Sequence, residues 1–188
     1  MRRFLETLTA IAGVGVIFAG VMLLVGLALG GCDGATPPVP PHPATISLGT
    51  AQLDGTGYAP LAGDVTLVEG AQGGFHVWLK YRVEGMTAAS VSEQHTARRK
   101  SDGVLVSQGM RTIDVGAAGT GGYWETPLAA PTFLCPTPVG VSIRDQTLLF
   151  RVELHDDAGN LVGEGESEAT PHCPTDSQAN FCSSICSG

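Results

Sequence analysis

Charge is scarce in this chain. Asp, Glu, Lys and Arg make up 15% of its 188 residues, and none of them falls between Thr7 and Gly31. What charge there is leans acidic, with 10 Lys and Arg against 18 Asp and Glu and a formal net charge of -8. Removing residues 1–31 takes away Arg2, Arg3 and Glu6 and leaves the remainder more negative still. Such a surface repels phosphate backbones and anionic headgroups, which argues against nucleic acid as a partner. Catalytic signatures are missing too. There is no Gly-x-Ser-x-Gly, no His-Glu-x-x-His, no phosphate-cradling Gly-rich loop with Lys and no Cys-His nucleophile pattern. The expectation is a protein that is not an enzyme and that carries no metal.

The uncharged run follows the basic pair Arg2-Arg3 and ends in Leu29-Gly30-Gly31-Cys32. It exceeds the usual signal-peptide core of about 7 to 15 residues and is long enough to span a bilayer, which needs about 20. The terminal box resembles that of bacterial lipoprotein precursors. The resemblance implies cleavage before Cys32, whose thiol then carries a diacylglycerol as the chain's one covalent cofactor. Small Gly30 and Gly31 let a peptidase approach the backbone, and Leu29 supplies an apolar anchor. The alternative is an uncleaved single-pass anchor with Cys32 an incidental thiol. In both readings the cytoplasmic Arg pair leaves residues 33–188 facing outward, toward the periplasm or cell surface. Asp33 after the lipidated Cys resembles an inner-membrane retention signal of enterobacterial lipoproteins, and the choice between inner and outer membrane stays open.

Residues 33–43 hold five prolines in eleven positions. An extended polyproline II spacer of roughly 30 Å follows, at about 3.1 Å per residue. The expected organisation is a signal peptide over 1–31, a lipidated Cys and tether over 32–43, a β-domain over 44–170 and a Cys-rich tail over 171–188.

With 26 Gly, 12 Pro and many Val, Thr and Ser, the globular part favours short strands. The clearest is Phe75 to Val83, where Phe75, Val77, Leu79, Tyr81 and Val83 alternate with His76, Trp78, Lys80 and Arg82. Further strands are expected at Ile46 to Leu48 with a continuation at Leu53, Val65 to Glu69, Val91 to Arg98, Val104 to Ser107, Arg111 to Val115, Tyr123 to Thr126, Thr132 to Leu134, Gln146 to Leu154 and Leu161 to Ala169. Hairpin turns are expected at Asp102-Gly103 and over Asp156 to Asn160. Many short strands with frequent turns predict an all-β fold, an immunoglobulin-like or fibronectin-like antiparallel β-sandwich. The stretch from Gly70 to Trp78 resembles a segment of uncharacterised predicted bacterial lipoproteins with immunoglobulin-like domains. That resemblance implies a fold and an address, and no functional residues come with it.

Apart from Cys32, the cysteines are Cys135, Cys173, Cys182 and Cys186. An even count in an exported domain predicts two disulfides. If the last hairpin turns near Ala158, Gln146 faces Thr170 and brings the Cys135 loop toward Cys173, which favours Cys135 with Cys173 and Cys182 with Cys186. The competing reading is a metal carrier using His172, Cys173, Cys182 and Cys186. His76 and Trp78 on the outward face of the strongest strand, with Trp124 after a Gly-rich loop, form a candidate binding patch for a protein or glycan partner. Against it stands a structural reading in which a neighbouring strand or loop covers Trp78 and the neighbouring cations are solvated. Asp156, Asp157 and Asn160 carry calcium-type oxygens but read as a plain turn, and His95 and His155 receive no role. Three functions are open: a lipid-anchored binding or structural module in the cell envelope, a carrier using the Cys/His tail, and an enzyme built from scattered residues.

Overall fold

A computed structural model describes residues 43–188 of the chain. The apolar segment, the Leu29 to Cys32 box and the tether up to His42 lie outside the described residues. These residues form eleven strands and one short helix, and no helix among them is long and apolar enough to cross a membrane.

The strands are β1 (Ala44–Thr50), β2 (Ala59–Pro60), β3 (Gly63–Thr66), β4 (Val68–Glu69), β5 (Phe75–Glu84), β6 (Ser90–Arg99), β7 (Leu105–Asp114), β8 (Tyr123–Glu125), β9 (Ala130–Cys135), β10 (Leu148–His155) and β11 (Leu161–His172); the helix is α1 (Ala179–Ile185). The expected strands are present except the continuation of the first at Leu53, which lies in an exposed turn beyond the end of β1. The two expected at Val104 to Ser107 and Arg111 to Val115 are one continuous strand, because Gly109 and Met110 keep their pairing with His95 and Gln94 across the supposed gap. The expected second strand is split at Leu67, whose amide donates to the His172 carbonyl at 2.8 Å.

The order runs β5-β1-β11-β10-β6-β7, with β8 and β9 both paired to β5. At the far end β7 comes close to β9, so the sheet curls back toward itself without a hydrogen-bonded seam. The sheet is mixed, which corrects the all-antiparallel expectation: β1 and β3 both run parallel to β11. The chain leaves β1, reverses through β2 against Gly49 and Thr50, and reverses again, so β3 meets the other half of the twelve-residue β11 in the same direction as β1. Gly165 makes this crossing feasible, since a Cβ there would collide with the Ile46 carbonyl oxygen.

The concave face is the core. Phe75, Val77, Leu79, Tyr81 and Val83 of β5 meet Leu148, Phe150, Val152 and Leu154 of β10, all buried. Each large side chain contributes about 1.5 to 3 kcal/mol by leaving water. The final hairpin turns where expected: the Asp156 carboxylate accepts from the Ala158 and Asn160 amides at 3.0 and 2.8 Å, and Gly159 takes φ 83°.

The disulfides join Cys135 to Cys186 and Cys173 to Cys182, which corrects the expected pairing. Cys182 and Cys186 lie one turn apart on or at the end of α1, side by side, and reach to different partners. Cys186 meets the end of β9, and Cys182 reaches back to the residue after β11. The helix is clamped to the loop after β9 by hydrogen bonds from the Thr137 amide to the Ile185 carbonyl and from the Ile143 amide to the Cys186 carbonyl, both 3.1 Å.

Candidate functional site

The outward face of β5 carries His76, Trp78, Lys80 and Arg82, and the loop from Ala51 to Gly57 lies across its first half. The Trp78 indole donates to the Leu53 carbonyl at 3.1 Å. His76 is 3% exposed, packed edge-on against Trp78 at 4.5 Å and beside Phe133 at 5.2 Å between ring centroids. Neither of its ring nitrogens has a hydrogen-bond partner among the described residues, and burial pushes its pKa below the ordinary value, so the ring is neutral. His76 is therefore buried between the partly buried Trp78 and the exposed Phe133, and Trp124 lies apart from them on β8.

The cations of this face are not free in solvent, against expectation. Lys80 is 5% exposed and pairs with Glu125 at 2.9 Å, while Arg82 holds the other oxygen of the same carboxylate at 2.8 Å. The cause is β8, which pairs beside β5 with Arg82 opposite Glu125. Burial raises the Glu125 pKa, but hydrogen bonds from Lys80 and Arg82 outweigh it and hold the carboxyl below its usual value. The Arg82 guanidinium stacks over Tyr58 at 3.8 Å and Tyr123 at 4.5 Å, at the edge of a groove of about 490 Å³.

Inside the curl lies a group that the sequence reading did not find. Glu93 of β6 is fully buried and its carboxylate accepts from three strands. Tyr81 Oη donates to it at 2.8 Å, His95 Nδ1 at 2.9 Å, and Arg111 Nε makes a short third contact. Gly109 opens the space for this, because a Cβ there would press on the His95 ring. Burial alone would raise the Glu93 pKa, but the His95 hydrogen bond, the Arg111 charge and the Tyr81 hydroxyl together lower it, so it stays ionised. Burial and the Glu93 charge push the Tyr81 phenol far up, so it stays a donor. With its oxygens engaged by three donors, this carboxylate is poorly placed to act as a general base; it fixes Arg111.

Arg111 also lines a cavity of about 270 Å³ with Ile113, Asp114, Trp124, Thr126, Pro127 and Leu128. Its Nη2 is buried with no hydrogen-bond partner. Trp124 is 9% exposed and Leu128 is 72% exposed. Its lining places the cavity where β7 faces β8 and the segment leading to β9, and among the described residues no strand pairs with the outer edge of β7. The sequence held one signal for this site: Val91, Glu93, His95 and Ala97 occupy inward positions, and two of the four are ionisable.

The tail brings the sulfurs of Cys173, Cys182 and Cys186 within 4.8 Å of one another, as members of the two disulfides. His172 turns away to Asp64, at 3.0 Å. In the oxidised chain these sulfurs are not thiolates, and the coordination chemistry of a soft-metal site is not available to them. The Asp156 carboxylate is occupied by its own turn, including Asn160 Nδ2 at 3.0 Å. No protein-family model matches the chain, and no curated protein matches it either.

Proposed function

We propose that the protein is an exported, lipid-anchored binding module of the bacterial cell envelope, held through Cys32, with its curled sheet serving as an immunoglobulin-like sandwich. Its partner is a polypeptide that docks in extended form along the outer edge of β7. The observation carrying this reading is the unclosed seam. Among the described residues β7 leaves its outer edge unpaired, and beside it Arg111 lines a cavity that joins the apolar Ile113, Trp124, Pro127 and Leu128 with Asp114 and Thr126, while its buried Nη2 has no acceptor. An edge strand offers main-chain donors and acceptors to an added strand. Trp124 and Leu128 give an apolar side chain a place to lodge, and Arg111 gives a carbonyl or carboxylate a donor whose orientation Glu93 already fixes. Two disulfides, joining three buried cysteines and the half-buried Cys173, suit an oxidising compartment and support the outward address.

Linear peptides selected from a displayed random library against the purified domain test the reading. Enriched peptides are expected to bind the wild type and to lose at least about tenfold in affinity, near 1.4 kcal/mol, in Leu128→Asp. Leu161→Asp, on the β10–β11 hairpin, should bind as the wild type does. Failure to enrich any peptide sensitive to Leu128 removes the seam as the site. A second reading has one observation of its own: the Tyr58-Arg82-Tyr123 stack borders the largest of these cavities, about 490 Å³, a suitable edge for a glycan. Glycan binding lost in Tyr58→Ala, with peptide binding absent, would favour it.

A further inference from the structure

The geometry points to a thiol–disulfide exchange site at the tail, in which the two disulfides form a relay that accepts electrons from a dithiol at the surface and delivers a free thiol at Cys135. Cys182 Sγ and Cys186 Sγ belong to different disulfides, yet they lie 3.7 Å apart, in van der Waals contact. Cys173 is half-buried and lines a cavity of about 330 Å³ together with His172, Ser183 and Cys186. Cys182 is fully buried, and Cys135 is 1% exposed. An incoming thiolate therefore meets Cys173 first, and the sulfur it displaces is Cys182, the one already against the second disulfide.

The steps balance with a dithiol as the only co-reactant. One thiolate of the dithiol bonds to Cys173 Sγ, and the Cys173–Cys182 bond breaks with its electron pair on Cys182. The Cys182 thiolate bonds to Cys186 Sγ, and the Cys135–Cys186 bond breaks with its pair on Cys135. The second thiol of the dithiol then attacks the mixed disulfide on Cys173 and leaves as the oxidised, cyclic disulfide. Two electrons and two protons have moved from the dithiol to the chain. Cys135 and Cys173 end as thiols, and Cys182 is joined to Cys186. Exchange of this kind needs an accessible first sulfur and a second one in contact with the released thiolate, and the tail provides both. The substrate class is a dithiol, whether a small molecule or a redox protein with two vicinal cysteines.

The test treats the full oxidised protein with one equivalent of dithiothreitol, stops exchange with acid, alkylates with N-ethylmaleimide in denaturant so that the buried Cys135 and Cys182 can react, and maps the label by mass spectrometry. Label on Cys135 and Cys173, with Cys182 and Cys186 protected until full reduction, is the expected result. Label on Cys173 and Cys182 with Cys135–Cys186 intact overturns the relay and leaves two independent structural bridges. The Cys182→Ser variant, its fold checked by Trp fluorescence, separates relay from direct attack through the cavity. Loss of the Cys135 label in that variant supports the relay, and label on Cys135 as in the wild type overturns it.

Discussion

Replacing Glu93 is the sharpest perturbation of the interior. The side chain is fully buried and accepts from Tyr81, His95 and Arg111. Glu93→Leu keeps the bulk and removes the acceptor from all three donors. Breaking a buried ion pair by deleting one partner costs about 3 to 5 kcal/mol. Arg111 keeps 33% side-chain exposure and can turn part of its charge to water, so the lower end, about 3 kcal/mol, is expected. For a domain of this size that lowers Tm by roughly 6 to 12 °C. Glu93→Gln retains one oxygen and should lose about 1 to 2 kcal/mol, and Tyr81→Phe about 1 kcal/mol, since it leaves the carboxylate with two donors. The assay is urea unfolding followed by the fluorescence of Trp78 and Trp124, the latter with its ring 6.4 Å from that of Tyr81. The pH dependence carries a second signature. Because the folded pKa of Glu93 is depressed, its stabilisation is complete above the unfolded value near 4.5 and is lost as pH falls through the lower folded value. Glu93→Leu should therefore show a flatter acid limb. A Glu93→Leu protein within about 1 kcal/mol of wild type, or equal to Tyr81→Phe, would refute this account of the cluster.

Three further outcomes are expected. His76→Phe should stabilise the domain by about 1 to 3 kcal/mol by removing two buried nitrogens without partners. Its folded pKa is depressed, so the wild type loses stability as pH falls below about 6.5, where the unfolded chain takes up the proton first, and His76→Phe should lack that loss when urea midpoints at pH 7.5 and 5.5 are compared. Paired Cys→Ser replacement of Cys135 and Cys186, separated by 51 residues, should cost about 4 kcal/mol against about 2.5 kcal/mol for Cys173 and Cys182, separated by 9, with the two unfolding midpoints ranked accordingly. Mass spectrometry of the mature protein from a bacterial envelope should find Cys32 as the first residue carrying a diacylglycerol, and an unmodified Met1 would replace the lipid anchor with a membrane-spanning one.

Much of the sheet was legible because its strands obey local rules. β5 alternates without a break, and Asp102-Gly103 and Asp156 to Asn160 are turns whose chemistry is written in consecutive residues. The register of the last hairpin was legible to within one residue. His155 pairs with Leu161 as a turn near Ala158 requires, but an irregularity between Leu154 and His155 shifts the rest by one, so Leu148 faces Ala169. Strand direction is not a local property, which is why the parallel contacts of β1 and β3 with β11 were not foreseen. The helix α1 has no side-chain cap at Gln178 and is only seven residues long, so propensity gives it little support. It is held by the two disulfides, and the pairing could not be read while the helix was unseen. The Glu93 cluster draws Tyr81 from β5, Glu93 and His95 from β6 and Arg111 from β7, and only the curl of the sheet brings them together. Of the expected patch, His76 and Trp78 are paired on β5 under one loop, while Trp124 belongs to the seam.

The direct test of the seam as a binding surface is photocrosslinking in intact cell envelopes, with a photoreactive residue in place of Leu128 or, as the control, Leu161. The expected result is a discrete crosslinked polypeptide from position 128 alone, attached within one contiguous segment of the partner. Equal crosslinking from both positions, or none from position 128, would contradict a peptide-binding seam.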